Sequence, residues 1–317
     1  MRVEGSGFKM IDAPKVITAL SGIDVKPKES LSNYTFTKTG GKADFVVFPK
    51  NVDEVAKVVA FTKDNAMPLT VIGNASNLIV RDGGIPGMVM ILTQMKKIKH
   101  NGNCIIADAG ARIIDTSEAA YQASLTGLEF AAGIPGSVGG AVFMNAGAYG
   151  GDVSDVITDI IAMDRDGNIH QIHGSELHFG YRHSVVQEEN LIVLSATFTL
   201  KPGDASAIRK QMDYLNYLRA SKQPLEYPSC GSVFKRPVGH YTGPLIQQAG
   251  LQGKIIGGAQ VSTKHAGFIV NINHATATDY LDLIHLIQRT IYAKFAVRLE
   301  TEVRIIGVDP NDPRAVN

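Results

Sequence analysis

The chain has 317 residues, with Lys+Arg 31 against Asp+Glu 30 and a formal net charge of +1. Hydrophobic residues make up 44% and charged ones 19%, an ordinary globular composition that excludes a disordered chain, a coiled coil and a polyelectrolyte tail. At ~150 residues per domain, the length corresponds to about two domains.

In chain order, Ala43 to Phe48 reads as a strand, Val52 to Asn65 as a helix and Pro68 to Ile72 as a second strand. Met88 to Leu92 follows the turn Asp82-Gly83-Gly84 and completes a β-α-β-β unit. Cys104 to Ala107 is a further strand and Ala111 to Leu125 a helical pattern. From Asp155 to Leu200 the texture is β-rich, with a hairpin signal at Asp164-Arg-Asp-Gly-Asn168. Asp204 to Lys222 places Ile208, Met212, Leu215 and Leu218 at helical spacing. A Gly/Pro/Ser-rich stretch over 224–244 and the strand Gly267 to Ile272 come next. A long helix near 278–296 then aligns Tyr280, Ile284, Ile287, Ile291 and Phe295 as one core-facing stripe. Leu299 to Ile306 reads as a final strand. The pattern divides into three α+β subdomains, about 31–95, 96–202 and 203–296, after an N-terminal segment 1–30 expected to be helical.

Balanced charge leaves no basic stripe for a nucleic acid; Lys96-Lys97-Ile98-Lys99-His100 reads as a solvated surface. Cys104 and Cys230 form no C-x-x-C pair, which suits a reducing compartment. Met1 to Gly22 has no continuous apolar run, and no segment approaches the ~18 apolar residues of a membrane span. A cytoplasmic protein with no membrane partner is expected; oligomeric state is not predicted.

Glycine is the unusual entry in the composition: 32 residues, about a tenth of the chain against a typical ~7%. Eight of them lie between Gly127 and Gly151. Two loops stand out. Gly73-Asn74-Ala75-Ser76-Asn77 directly follows the strand ending at Ile72, and pairs a glycine with short hydrogen-bonding side chains. Gly133-Ile134-Pro135-Gly136-Ser137-Val138-Gly139-Gly140-Ala141 has Gly-x-x-Gly-x-x-Gly spacing, which leaves successive N–H groups open to an anion. Neither is a G-x-G-x-x-G or a P-loop, and tight turns with close helix packing account for the spacing equally well.

Metal binding is not expected. His170 and His173 lie three apart on a strand and point to opposite faces. On the last strand, alternation places Glu300, Glu302 and Arg304 opposite Leu299, Thr301, Val303 and Ile305, which by itself describes a solvated face. Ser232 lies in Ser229-Cys-Gly-Ser-Val-Phe-Lys-Arg-Pro237 without a G-x-S-x-G elbow, so serine-hydrolase chemistry is not indicated. Arg182, in Tyr181-Arg-His-Ser184, follows a turn.

Taken in order, nine segments resemble the UDP-N-acetylenolpyruvoylglucosamine reductase family. They are Tyr34 to Asp44, Gly73 to Asn77, Gly127 to Phe130, Gly133 to Gly140, Asn145 to Gly150, Tyr181-Arg182, Gly231 to Pro237, Lys264 to Asn271 and Glu302 to Gly307. The resemblance implies an α+β flavoenzyme in which two subdomains enclose FAD, as in the vanillyl-alcohol-oxidase (PCMH) type of flavin fold. The strand within 297–317 is then expected to join subdomain 96–202, and 203–296 to bind the UDP-sugar. It places Gly73, Asn74, Ala75, Ser76 and Asn77, with Gly133, Pro135, Gly136, Ser137, Gly139, Gly140 and Ala141, on the flavin diphosphate.

The implied reaction uses NADPH, through the flavin, to reduce the enolpyruvyl group to UDP-N-acetylmuramate. Arg182 is implied as the cation for developing carboxylate charge, Ser232 as proton donor and Glu302 as a second acid or stabiliser. Lys222, Lys235, Arg236 and Asn145 are implied substrate contacts. The absence of an insertion between 182 and 203 resembles the shorter subclass, which lacks a tyrosine-bearing lid loop. Cys230 is expected to be a buried filler. A related flavin oxidase and a silent binding module are the rival readings.

Overall fold

The computed structural model describes residues 11–316. Its first sheet orders Asp24–Pro27, Ala43–Phe48, Ile85–Ile91 and Leu69–Ile72 side by side. The last three strands are mutually parallel and the first is antiparallel to its neighbour. Every residue of Ala43–Phe48 is buried. This explains its largely apolar run, since a strand covered on both faces has no solvent side to alternate toward. Asp44 is the exception within it, and its carboxylate accepts hydrogen bonds from Lys28 Nζ (3.1 Å) and the Gly87 amide (2.8 Å). Helix Val52–Asp64 is capped by Asn51, whose side chain accepts from the Glu54 amide, and buries Val55, Val58, Val59 and Thr62.

The N-terminal segment is only partly helical. Ala13–Ala19 is a helix with proline in its first turn, but Asp24–Pro27 extends into the edge strand. The earlier part of the expected segment, residues 1–10, lies outside the described residues.

The second sheet is antiparallel, in the order Ile169–His173, Ile157–Met163, Ile192–Thr199, Cys104–Asp108 and Ile98–Asn101. Its hairpin closes at Asp164, whose carboxylate accepts the amides of Asp166 and Asn168 at 2.8 and 2.9 Å. One apolar cluster containing Phe45, Met88, Ile105 and Phe198 runs through both sheets, so the two subdomains share a core.

Helix Ala205–Lys222 corrects one expected boundary. It buries Ile208 and Met212 against Ala132 and Tyr121, and Arg209 pairs with Glu118 at 2.7 Å. It therefore packs on subdomain 96–202 rather than on the unit that follows. Its amphipathic spacing specifies an apolar face, not the surface that face meets.

The third unit has an antiparallel sheet in the order Ser229–Ser232, Phe268–Asn271, Ala259–Val261 and Ile255–Ile256. Helix Ala277–Phe295 starts in a Thr276/Asp279 capping box and buries Tyr280, Ile284, Ile287 and Ile291. Asp82, from the first unit, accepts the Ala277 and Thr278 amides at 2.9 and 2.8 Å, fastening this helix to its neighbour.

The last strand also departs from expectation. Thr301 forms a bridge with Phe234, and then the amides of Glu302 and Val303 both donate to Val233 O, at 2.8 and 3.3 Å. That shared acceptor breaks the ladder. Only Arg304–Ile306 continues as a strand, parallel to Leu78–Val80. The chain end therefore returns to subdomain 31–95, not to 96–202. Alternation fixes which face of a strand is buried but carries no information about its neighbour. Among the described residues, no helix is long and apolar enough to cross a membrane.

Candidate active site

Ser232 is placed by a β-bulge. Ser229 pairs with Val270 and Ser232 with Phe268, so one strand carries an extra residue, and Gly231 takes φ +76°. A bulge of this kind re-aims the following side chain, and the left-handed residue within it favours glycine. Cys230 consequently turns inward at 1% exposure, while Ser232 is exposed. Burial pushes the Cys230 thiol up to about 12, so it stays a protonated filler and supplies no thiolate.

Arg182 and Glu302, 120 positions apart in the sequence, form an ion pair, Nε to Oε1, at 2.7 Å. Their side chains are only 20% and 14% exposed. Arg182 also donates from Nη1 to Asn145 O (3.4 Å) and from Nη2 to Gly147 O (3.2 Å). Tyr181 donates its hydroxyl to Glu302 Oε2 at 3.3 Å, and its ring lies 4.9 Å from the Arg182 guanidinium. Glu302 is anchored by its own amide on Val233 O and by Asn77 Nδ2 on its carbonyl, at 3.2 Å.

Arg182, Ser232, Glu302 and Arg236 line one pocket of about 280 Å³, together with Tyr181, Tyr241 and His265. Arg236 stacks on the Tyr241 ring at 3.9 Å. Three other expected substrate contacts lie elsewhere. Lys235 turns to Glu300 at 3.3 Å, Lys222 is exposed at the end of its helix, and Asn145 is 5% exposed with its side chain committed to other loops.

The sequence reading did not single out His265. Its Nδ1 accepts the Gly267 amide at 3.2 Å, which leaves Nε2 as the ring's donor, and burial holds its imidazole below the ordinary histidine range. The available signal was the serine turn before it, since Ser262 Oγ accepts the amides of Lys264 and His265. A larger cleft of about 490 Å³, on the outer face of helix Ala277–Phe295, contains none of these groups.

The two glycine loops meet. Asn74 Nδ2 donates to Pro135 O at 2.7 Å, and a Cβ on Gly73 would stand 2.1 Å from Ser137 Oγ. Ala75 holds φ +48°. The expected open row of amides in the second loop is largely used by the fold. Val138 donates to Ala111 O, Gly139 to Ala109 O and Ala141 to Ser137 O, each at 2.8 Å, and Gly140 donates to Ser137 Oγ at 3.3 Å. The amides of Asn74, Ala75, Ser76, Gly136 and Ser137 donate to no described residue. The free donors thus concentrate where the loops touch, a backbone cradle that suits a diphosphate.

A two-sheet unit with such a cradle, meeting a third unit at a pocket to which Arg182, Ser232 and Glu302 come from separate segments, suits a flavin-dependent oxidoreductase. Residues 43–173 match the family described as FAD binding domain, and residues 223–306 match that described as UDP-N-acetylenolpyruvoylglucosamine reductase, C-terminal domain. The UDP-N-acetylenolpyruvoylglucosamine reductase of Pediococcus pentosaceus is 62% identical over 292 residues, covering 92% of this chain and 97% of the relative. That of Latilactobacillus sakei is 66% identical over 285 residues, covering 90% and 94%. The crystal structure of the Thermus caldophilus reductase superposes with a TM-score of 0.77 at 31% identity, covering 90% of this chain and 99% of that one. The chain belongs to the UDP-N-acetylenolpyruvoylglucosamine reductase family. It is an α+β flavoenzyme whose cofactor is FAD.

Proposed function

We propose that this chain reduces UDP-N-acetylenolpyruvoylglucosamine to UDP-N-acetylmuramate with NADPH, in the cytoplasm, as a step of bacterial peptidoglycan synthesis. The observation that carries the reading is the convergence of Arg182, Glu302 and Ser232 on one pocket, from three separate segments. FAD, held where the two glycine loops meet, would supply the hydride chemistry between NADPH and C3 of the enolpyruvyl group.

The chain's own groups handle charge and proton. Hydride arrival at C3 leaves negative charge delocalised from C2 into the substrate carboxylate. Arg182 faces that charge with a guanidinium whose remaining N–H groups suit a carboxylate. Glu302 and the two backbone carbonyls hold the guanidinium in place, so its position is set before the charge develops. Ser232 delivers its hydroxyl proton to C2; a serine is a weak acid, and the adjacent cationic pocket favours the alkoxide left behind. Arg236, on its tyrosine platform, is the pocket's second cation and suits the diphosphate of the UDP-sugar.

A visible spectrum tests the whole assignment. Purified protein should be yellow, bleach with NADPH and recover its colour on anaerobic addition of enolpyruvyl UDP-GlcNAc. Bleaching without recovery would exclude that substrate. Reduction by another substrate with fast reoxidation by oxygen would identify a flavin oxidase instead. Gly73→Ala is expected to purify with less flavin, because its Cβ would displace the Ser137 hydroxyl that caps the Gly140 amide where the two loops meet. The flavin-to-protein absorbance ratio checks this, and full occupancy would count against the loop pair as the diphosphate cradle.

A further inference from the structure

Asn145 was expected to touch substrate, and its surroundings show something different. It is buried, its backbone is left-handed at φ +40°, and it does not line the Arg182 pocket. Asparagine is among the few non-glycine residues that occupy this region readily. Its side-chain amide donates from Nδ2 to Gly180 O at 3.2 Å, and its Oδ1 accepts the Ser154 amide at 3.0 Å. Both partners fix the amide's orientation, since a carbonyl requires the NH2 group and an amide requires the oxygen.

Gly180 begins the turn that carries Arg182. The His183 amide donates back to Gly180 O at 3.2 Å, and Gly180 N donates to His183 O at 3.1 Å. Arg182 occupies the third position of that turn with φ +58°, where glycine or asparagine is the ordinary choice. Such a residue keeps its conformation only when its surroundings over-determine it. Asn145 supplies two of those constraints and its neighbour Gly147 a third. The Asn145 side chain holds the turn's first carbonyl, its own carbonyl accepts Arg182 Nη1, and its turn delivers Gly147 O to Nη2. Gln187 adds another fastening, with Nε2 on both Phe143 O (2.6 Å) and Arg182 O (3.0 Å).

We propose that Asn145 is the positioning residue for Arg182: its side-chain amide locks the Gly180–His183 turn so that the guanidinium is held at the angle the reaction uses. This rests on the reading of Arg182 as the cation facing the developing carboxylate charge. Asn145 acts through Arg182 and makes no contact with substrate.

The test uses the holoenzyme and two variants. Asn145→Gly keeps the left-handed backbone and its carbonyl while removing both side-chain bonds. Asn145→Asp keeps an oxygen for Ser154 and removes the donor to Gly180. Stopped-flow absorbance should show substrate-driven flavin reoxidation slowed about 10- to 100-fold in both, the scale of an ångström-level misplacement of a reacting group. NADPH-driven bleaching should keep the wild-type rate, and flavin content should be unchanged. In an Arg182→Ala background, Asn145→Gly should cause no further loss. Equal slowing of both half-reactions, loss of flavin from both variants, or multiplicative effects in the Arg182→Ala background would each overturn the proposal. If Arg182→Ala alone leaves reoxidation intact, the reading of Arg182 fails first. If Arg182→Ala is slow and Asn145→Gly is not, only the positioning role fails.

Discussion

Ser232→Ala should leave NADPH-driven bleaching of the flavin near the wild-type rate and slow its substrate-driven recovery by about 10²- to 10⁴-fold, the range a positioned proton donor contributes. The substitution is a clean probe because Ser232 is exposed and its hydroxyl makes no hydrogen bond to a described residue. Removing it leaves no buried group unpaired, so the melting temperature should barely move. The neighbouring Cys230 cannot substitute for the lost hydroxyl, since the bulge turns it into the core. Equal slowing of both half-reactions would remove Ser232 from the proton-donor role.

Arg182→Ala should lower kcat/KM by about 10²- to 10³-fold, comparable to the loss of one preorganised donor to a developing oxyanion. Unlike Ser232→Ala, it should also destabilise the protein. Glu302 would keep a carboxylate at 14% side-chain exposure with only the Tyr181 hydroxyl against it, and the Asn145 and Gly147 carbonyls would lose a donor. Leaving such groups unsatisfied costs about 1–3 kcal/mol, visible as a lower melting temperature. Arg182→Lys should recover part of the stability and little of the rate. A point charge on a flexible stem cannot serve Glu302 and two carbonyls at once and still face a carboxylate. A lysine variant with wild-type kcat/KM would show that charge alone is required.

How much of this was legible in the sequence depended on the range of the signal. Ala43–Phe48, Val52–Asp64 and Ala277–Phe295 announced themselves through local periodicity, and the hairpin at Asp164 through turn chemistry. What failed were questions of neighbourhood. The periodic face of Ala205–Lys222 did not reveal that Ala132 and Tyr121 would cover it, and Lys235 gave no sign that Glu300 would claim its ammonium. The glycine surplus was real but served two ends. Gly73 permits the approach of two loops, whereas Gly139 permits close packing, since a Cβ there would lie 3.0 Å from that of Ala109. Arg182, Ser232 and Glu302 were singled out together by resemblance, because no spacing rule connects residues that only the folded chain brings together.

The parallel pairing of Arg304–Ile306 with Leu78–Val80 has a consequence for the order of assembly. Asn77 and Glu302 touch across 225 positions of sequence, so a ribosome releases one side of this seam long after the other. The intervening third unit must be synthesised before the seam can close. Contacts of such long range are closed slowly, and until then they leave strand edges unpaired. Glu302 travels on that later segment, so Arg182 waits without its carboxylate until the segment has been synthesised. The pocket that pairs Arg182 with Glu302 is complete only once this seam has closed.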